Sequence, residues 1–159
     1  ERMRVIEYLR MFGRLAALRR PDEAARDALD RFGIGHLARA HATELSSGQK
    51  TLVGIAKAIM HRPALLVLDE PTASLDPDVA LRVRNGLREI SAELGTALLV
   101  TSHNMVEVER LCERVVFLSA GRVVADGTAA EIIERFGRSD LEDVFLHLAE
   151  LRDREGVVR

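Results

Sequence analysis

Cysteine, tryptophan and long apolar runs are scarce or missing in this 159-residue chain, and each shortage closes off a class of protein. Its one cysteine, Cys112, cannot form an internal disulfide, so a disulfide scaffold is excluded and a reducing compartment fits. Placed where a helix is expected to end, Cys112 reads as a small apolar packing residue rather than a reactive thiol. Aromatic residues make up 4% of the chain and there is no Trp, which argues against a base-stacking surface. The 23 basic and 25 acidic residues alternate and leave a net charge of -2, so no basic stripe points to nucleic acid. No apolar run approaches the ~20 residues of a membrane-spanning helix, so any membrane role is peripheral. No charged-then-apolar leader opens the chain. The first residue is Glu1 rather than Met, and further sequence is expected upstream. There is no internal repeat and no low-complexity linker.

What is present is an ordinary globular composition, 47% apolar and 30% charged. A chain of this length buries roughly 70% of its unfolded surface as one domain. Val5, Tyr8, Leu9 and Phe12 recur at helical spacing, and Ala25, Ala28, Leu29 and Phe32 repeat the pattern. Pro21 suits the first turn of the second helix, and Gly33 and Gly35 end it. A third helix is expected from Gly48 to about His61, halted by Pro63, with Leu52, Ile55, Ala56 and Ile59 on one side. Leu65 to Leu68 is a continuous apolar run, the pattern of a parallel strand covered on both faces. A helix over about 78–94 leads to the strand 97–101, and strand, helix, strand in that order predicts a right-handed parallel α/β unit. A helix over 104–112, a strand over 115–118, a turn at Ala120-Gly121 into a short strand over 123–125, and helices at 132–136 and from Leu141 onward complete the chain.

Three places concentrate polar chemistry. Leu45-Ser46-Ser47-Gly48-Gln49-Lys50 enters a helix, where backbone N–H groups and the helix dipole favour an anion and Gly48 lets a phosphate come close. Ser46 is equally well placed as a plain helix N-cap. Asp69 and Glu70 end the apolar strand at its carboxyl edge, where open parallel sheets bind ligands. There Asp69 can hold Mg²⁺ and Glu70 can orient and deprotonate water. A single carboxylate in that position is commonly just the start of a turn; two in succession before Pro71-Thr72 are harder to explain so. His103 follows the second parallel strand at the same edge, although Asn104 and Glu107 also make a plausible capping pair there. Asp76, before Pro77, reads as an N-cap. His36, His41, His61 and His147 have no comparable context.

The first two of these segments resemble the signature and Walker B motifs of the ATP-binding cassette (ABC) family. Ser74-Leu75-Asp76 resembles its D-loop and His103 its switch histidine. The family pattern more often has Gly where this chain has Ser47. The resemblance implies an α/β fold with an incomplete P-loop NTPase-like (RecA-like) parallel sheet core and an α-helical subdomain. It divides the chain into a helical subdomain with the signature (1–62), the second half of the catalytic core (63–136) and a helical tail (137–159). It also implies binding of ATP and Mg²⁺, with Ser46, Ser47, Gly48, Gln49 and Asp76 toward a nucleotide held by a second ATPase protomer. Asp69 would hold the metal, and Glu70 and His103 would act in hydrolysis. The segments 102–112, 121–127 and 141–145 look like the exporter-type members, which drive drug, polysaccharide or sodium efflux. The expected partners are therefore a second protomer and an integral membrane permease, at the cytoplasmic face of the cell membrane, with no nucleic acid. No Gly-x-x-x-x-Gly-Lys-Ser/Thr loop occurs in the 159 residues. The chain alone is accordingly expected to lack a site for the β- and γ-phosphates. The strand leading to such a loop is expected between those over 97–101 and 115–118, which leaves a gap, direct pairing, or a strand from another chain. Two rivals are a non-enzymatic fragment lending only its signature face, and a soluble ABC ATPase outside transport.

Overall fold

A computed structural model describes residues 3–73 and 75–156. The chain divides into two compact units, one running to Thr101 and the other starting at Ser102.

In the first unit, α1 (Val5–Leu15), α2 (Pro21–Arg31) and α3 (Ser47–Ile59) follow the spacing of their apolar residues. Val5, Leu9, Ala25, Leu29, Phe32, Leu52, Ala56 and Ile59 are all buried, so the helical faces read from the sequence are the faces that pack. Pro21 opens α2, where its missing N–H costs nothing, and Gly33 takes a left-handed φ of 65° just past its end. A 3₁₀ turn, Gly35–Arg39, links α2 to α3 and was not foreseen. Its five residues are too few to display a period.

β1 (Leu65–Asp69) pairs in parallel with β2 (Ala97–Thr101), Asp69 opposite Thr101, and α4 (Pro77–Leu94) makes the crossover. β1 is not covered on both faces as its apolar run implies. Leu66 and Leu68 are buried, but Leu65, Val67 and Leu99 share the opposite face and are 54–62% exposed. The sheet is two strands wide with α4 packed against it, and a continuous apolar run does not tell which face is covered.

In α4, Gly86 lies against the ring of the buried Phe32; a Cβ there would stand 2.5 Å from Phe32 Cε1. Gly86→Ala raises intrinsic helix propensity yet is expected to destabilise by about 1–3 kcal/mol through overpacking. Urea unfolding checks this, and a gain in stability would show that the ring moves freely.

In the second unit, β3 (Val115–Ser119) and β4 (Arg122–Gly127) form an antiparallel hairpin with a bulge at Phe117/Leu118. α5 (Met105–Leu111), α6 (Ala129–Phe136) and α7 (Leu141–Gly156) supply Met105, Ile132, Leu141 and Val144 to a core with Val115, Phe117 and Ala125. The hairpin's alternate residues Val116, Leu118 and Val123 are exposed. Arg114 grips Asp126 with two 2.8 Å hydrogen bonds, which holds the Asp126 carboxyl below its usual range. Cys112 caps the end of α5, half-buried rather than enclosed, and burial pushes its thiol pKa up, away from the reactive thiolate. Among the described residues β1 and β2 form one two-stranded sheet and β3 and β4 another.

Candidate functional site

The signature segment forms the first turn of α3 through a reciprocal capping box. The Gln49 N–H donates to the Ser46 hydroxyl (3.2 Å), and the Ser46 N–H donates to the Gln49 side-chain carbonyl (3.0 Å). The Lys50 N–H is taken by the Ser46 carbonyl. The Ser46 hydroxyl oxygen and the Gln49 side-chain carbonyl are thus engaged as acceptors within the helix start, as the plainer N-cap reading anticipates. Among the described residues, the N–H groups of Ser47 and Gly48 remain as the donors a helix start offers to an anion. Gly48 also has a packing reason to be glycine. A Cβ there would meet Leu75 Cδ2 at 3.3 Å and Val79 Cγ1 at 3.6 Å. The start of α3 therefore rests on the segment that resembles a D-loop.

That segment leads into α4 with Pro77 at the first helical position, as expected, but the Asp76 side chain caps nothing. Asp76 does occupy the N-cap position, as expected, but through its backbone carbonyl, which accepts the Ala80 N–H (2.9 Å), and the residue is exposed. Ser74 lies outside the described residues.

At the carboxyl edge of the β1–β2 sheet, the parallel register sets Asp69 beside Thr101. The Thr101 hydroxyl donates to Asp69 Oδ1 at 2.5 Å. The Glu70 N–H meets the Thr101 carbonyl (3.0 Å) and hydroxyl (3.3 Å). Thr101 therefore orients one carboxylate and anchors the backbone of the next. Only the pairing register reveals this role; in sequence Thr101 is one more β-branched strand residue. Glu70 has a left-handed φ of 47°, a conformation that costs a non-glycine residue about 1–2 kcal/mol. The turn is held by the Ala73 N–H donating to the Glu70 carbonyl (3.1 Å) and by the Thr101 bonds. Backbone strain held by surrounding hydrogen bonds clusters at functional sites, and here it falls on a carboxylate at the end of a parallel strand, which makes Glu70 a candidate.

Asp69 suits a magnesium ion. Mg²⁺ takes one or two carboxylates and completes its shell with water and phosphate oxygens, so a single hard oxygen ligand beyond the Thr101-bound one is enough. Among the described residues no group of three or more His, Cys, Asp or Glu is gathered as an all-protein metal cage.

His103 opens the second unit, exposed, in the bend between β2 and α5. The capping of α5 is carried by Asn104, whose side-chain oxygen accepts the Glu107 N–H (3.2 Å), while the Asn104 N–H donates to Ser102 Oγ (3.1 Å). The first unit thus carries Ser46–Gln49, Asp69, Glu70 and Asp76, and the second carries His103.

Residues 2–73 match the ABC transporter family's ABC_tran domain. The phosphonates import ATP-binding protein PhnC of Agrobacterium fabrum is 44% identical over 105 residues, covering 66% of this chain and 37% of PhnC. The methionine import ATP-binding protein MetN of Symbiobacterium thermophilum is 40% identical over 128 residues, covering 80% of this chain and 38% of MetN. The chain therefore spans under two fifths of the length of these relatives. A solved ATP-binding subunit of an ABC transporter superposes with a TM-score of 0.79 at 27% identity, covering 92% of this chain and 62% of that one. The fold is that of the ABC ATPase domains, the P-loop NTPase fold. The relatives named are importers, and the exporter reading finds no support in them.

Proposed function

We propose that this chain, a relative of the ATP-binding subunits of ABC transporters, is part of such a subunit and carries half of its hydrolytic chemistry. The observation that carries the reading is the strained Glu70 beside the Thr101-bound Asp69 at the carboxyl edge of β1 and β2. Asp69 would hold Mg²⁺, generally through water, and the ion would offset charge on the transferred phosphoryl group. Glu70 takes the proton of the attacking water, and His103 donates to the terminal phosphate. In a dimer, the Ser47 and Gly48 N–H groups, at the helix start shaped by Ser46 and Gln49, face the nucleotide of the other protomer, with Asp76 at the crossing. The work asked of these residues is positioning and electrostatics.

ATP hydrolysis would be coupled to transport through a separate permease, with the ATPase peripheral at the cytoplasmic face of the membrane. Among the described residues no helix is long and apolar enough to cross a membrane, which suits that placement. The import relatives favour uptake as the direction of transport; export rests on the resemblance of segments 102–112, 121–127 and 141–145.

The test compares the 159 residues alone with a protein in which a phosphate loop precedes them. The longer protein is expected to hydrolyse ATP in a Mg²⁺-dependent way. The chain alone is expected to hydrolyse none detectably and to bind ATP more weakly than micromolar. A longer protein that binds ATP without turnover would favour the non-enzymatic signature-bearing fragment. Micromolar ATP binding by the chain alone, read by calorimetry, would contradict the division of the site.

A further inference from the structure

At the far end of α3 from the signature lies a cleft of about 620 Å³, within the range of small-ligand sites. Ile59 and Met60 at the end of α3, Leu18 before α2, and Leu94 at the end of α4 give it an apolar lining. Its charge is one-sided: four arginines, Arg19, Arg20, Arg31 and Arg62, against two carboxylates, Glu23 and Asp27. Two of the arginines are already paired, Arg20 with Glu23 at 3.1 Å and Arg31 with Glu93 at 2.8 Å. Arg19 and Arg62 are exposed and enter no ion pair or hydrogen bond among the described residues, so two guanidinium forks stand available over an apolar lining.

The backbone places both arginines. Arg62 itself has a left-handed φ of 50°, and Ala17, which leads into Leu18 and Arg19, has a φ of 53°. Both are non-glycine residues held in a costly conformation, by Arg62 N–H to the Ile59 carbonyl and Ala17 N–H to the Arg14 carbonyl. Both stand just past a helix end, Ala17 after α1 and Arg62 after α3, where a left-handed residue commonly closes the last turn, and these turns bring Arg19 and Arg62 to the cleft. α2 also opens at this cleft, but Pro21 at its first position has no N–H and Asp22 and Glu23 occupy its first turn, so its start adds nothing to the binding of an anion. The carbonyls at the ends of α3 and α4 also repel an anion. His61 and Arg62 stand at the end of α3 to offset this.

We propose that this cleft binds a small amphiphilic anion, with a carboxylate or phosphate head held by Arg19 and Arg62 and an apolar body against Leu18, Met60 and Leu94. Planar guanidinium groups bind such heads by paired hydrogen bonds, and the lining removes the body from water. The site is separate from the proposed nucleotide chemistry, and neither reading depends on the other.

Octyl phosphate below its micelle concentration is the probe, titrated into the 159-residue chain by calorimetry, with inorganic phosphate and octanol as the two halves of the molecule. Octyl phosphate is expected to bind saturably at one site, and the two halves at least about tenfold more weakly. Arg19→Ala and Arg62→Gly are each expected to weaken octyl phosphate about tenfold. Arg62→Gly also relieves the backbone strain, so its melting temperature should be unchanged or raised while binding falls, an outcome a purely structural arginine would not produce. Leu99→Ser, on the exposed face of the β1–β2 sheet, should leave binding unchanged. No binding, binding that survives both arginine replacements, equal binding of octanol, or loss on Leu99→Ser would each overturn the proposal.

Discussion

Glu70→Gln, in a protein that joins this chain to a phosphate loop, is expected to keep ATP bound and to lower hydrolysis by about 10²–10⁴-fold. That is the range over which a positioned general base accelerates proton transfer. Glutamine keeps the size and shape of the side chain and removes its charge. Because the φ of 47° at this residue is a backbone property, held by the Thr101 and Ala73 hydrogen bonds, the turn should persist in the variant. Loss of negative charge beside the phosphates should also let the ATP-bound dimer accumulate. The measurements are steady-state ATPase rate and the dimer fraction on gel filtration with ATP and Mg²⁺. Turnover within about threefold of the parent would remove Glu70 from the role of base, a smaller change than loss of a base produces.

Gly48→Asp should abolish most activity, by about 10²-fold or more, without unfolding the protein. An acidic residue in the first turn of α3 is favourable to the helix dipole, so the helix is not the casualty. The new Cβ meets Leu75 Cδ2 at 3.3 Å, a contact that a half-buried leucine side chain can relieve by moving a few tenths of an ångström. What cannot be relieved is a negative charge beside the two N–H groups left for a phosphate. Gly48→Ala carries the same steric demand without the charge and should keep most of the activity. In a mixed dimer with a wild-type partner, the defect should fall on one of the two nucleotide sites. Normal turnover in Gly48→Asp would reduce the segment to a helix cap packed on Leu75.

Most of the fold was legible because its apolar residues repeat with periods that only one local structure satisfies. α1, α2 and α3 buried the stripes read from Val5, Ala25 and Leu52, and β1 and β2 paired in parallel around the crossover helix α4. What was illegible depended on partners remote in sequence. The apolar run of β1 identifies a strand but not how many of its faces a helix covers. At the site, Asp69 and Glu70 stood out as adjacent carboxylates ending a strand. The left-handed turn at Glu70 and the hydroxyl of Thr101 did not, since both arise from a register that brings residue 101 to residue 69. The capping of Ser46 by Gln49 was legible as a motif. Which of its groups the helix start engages, and that the backbone N–H groups of Ser47 and Gly48 are left for a ligand, required the bonds themselves.

The order of the strands along the chain also has a consequence in time. The β3–β4 hairpin closes over a turn at Ala120-Gly121, and α6 and α7 follow it directly, so the contacts of the second unit are mostly local. A hairpin of this kind forms on the order of microseconds. The β1–β2 pair must wait for residues 65 and 97 to meet across the whole of α4, and parallel pairings of such separation are slow. The β3–β4 hairpin is therefore expected to form before the strained turn that carries Glu70, which needs Thr101 in register to hold it. Any slowing of that pairing would leave a chain that is helical and compact yet without its acidic edge.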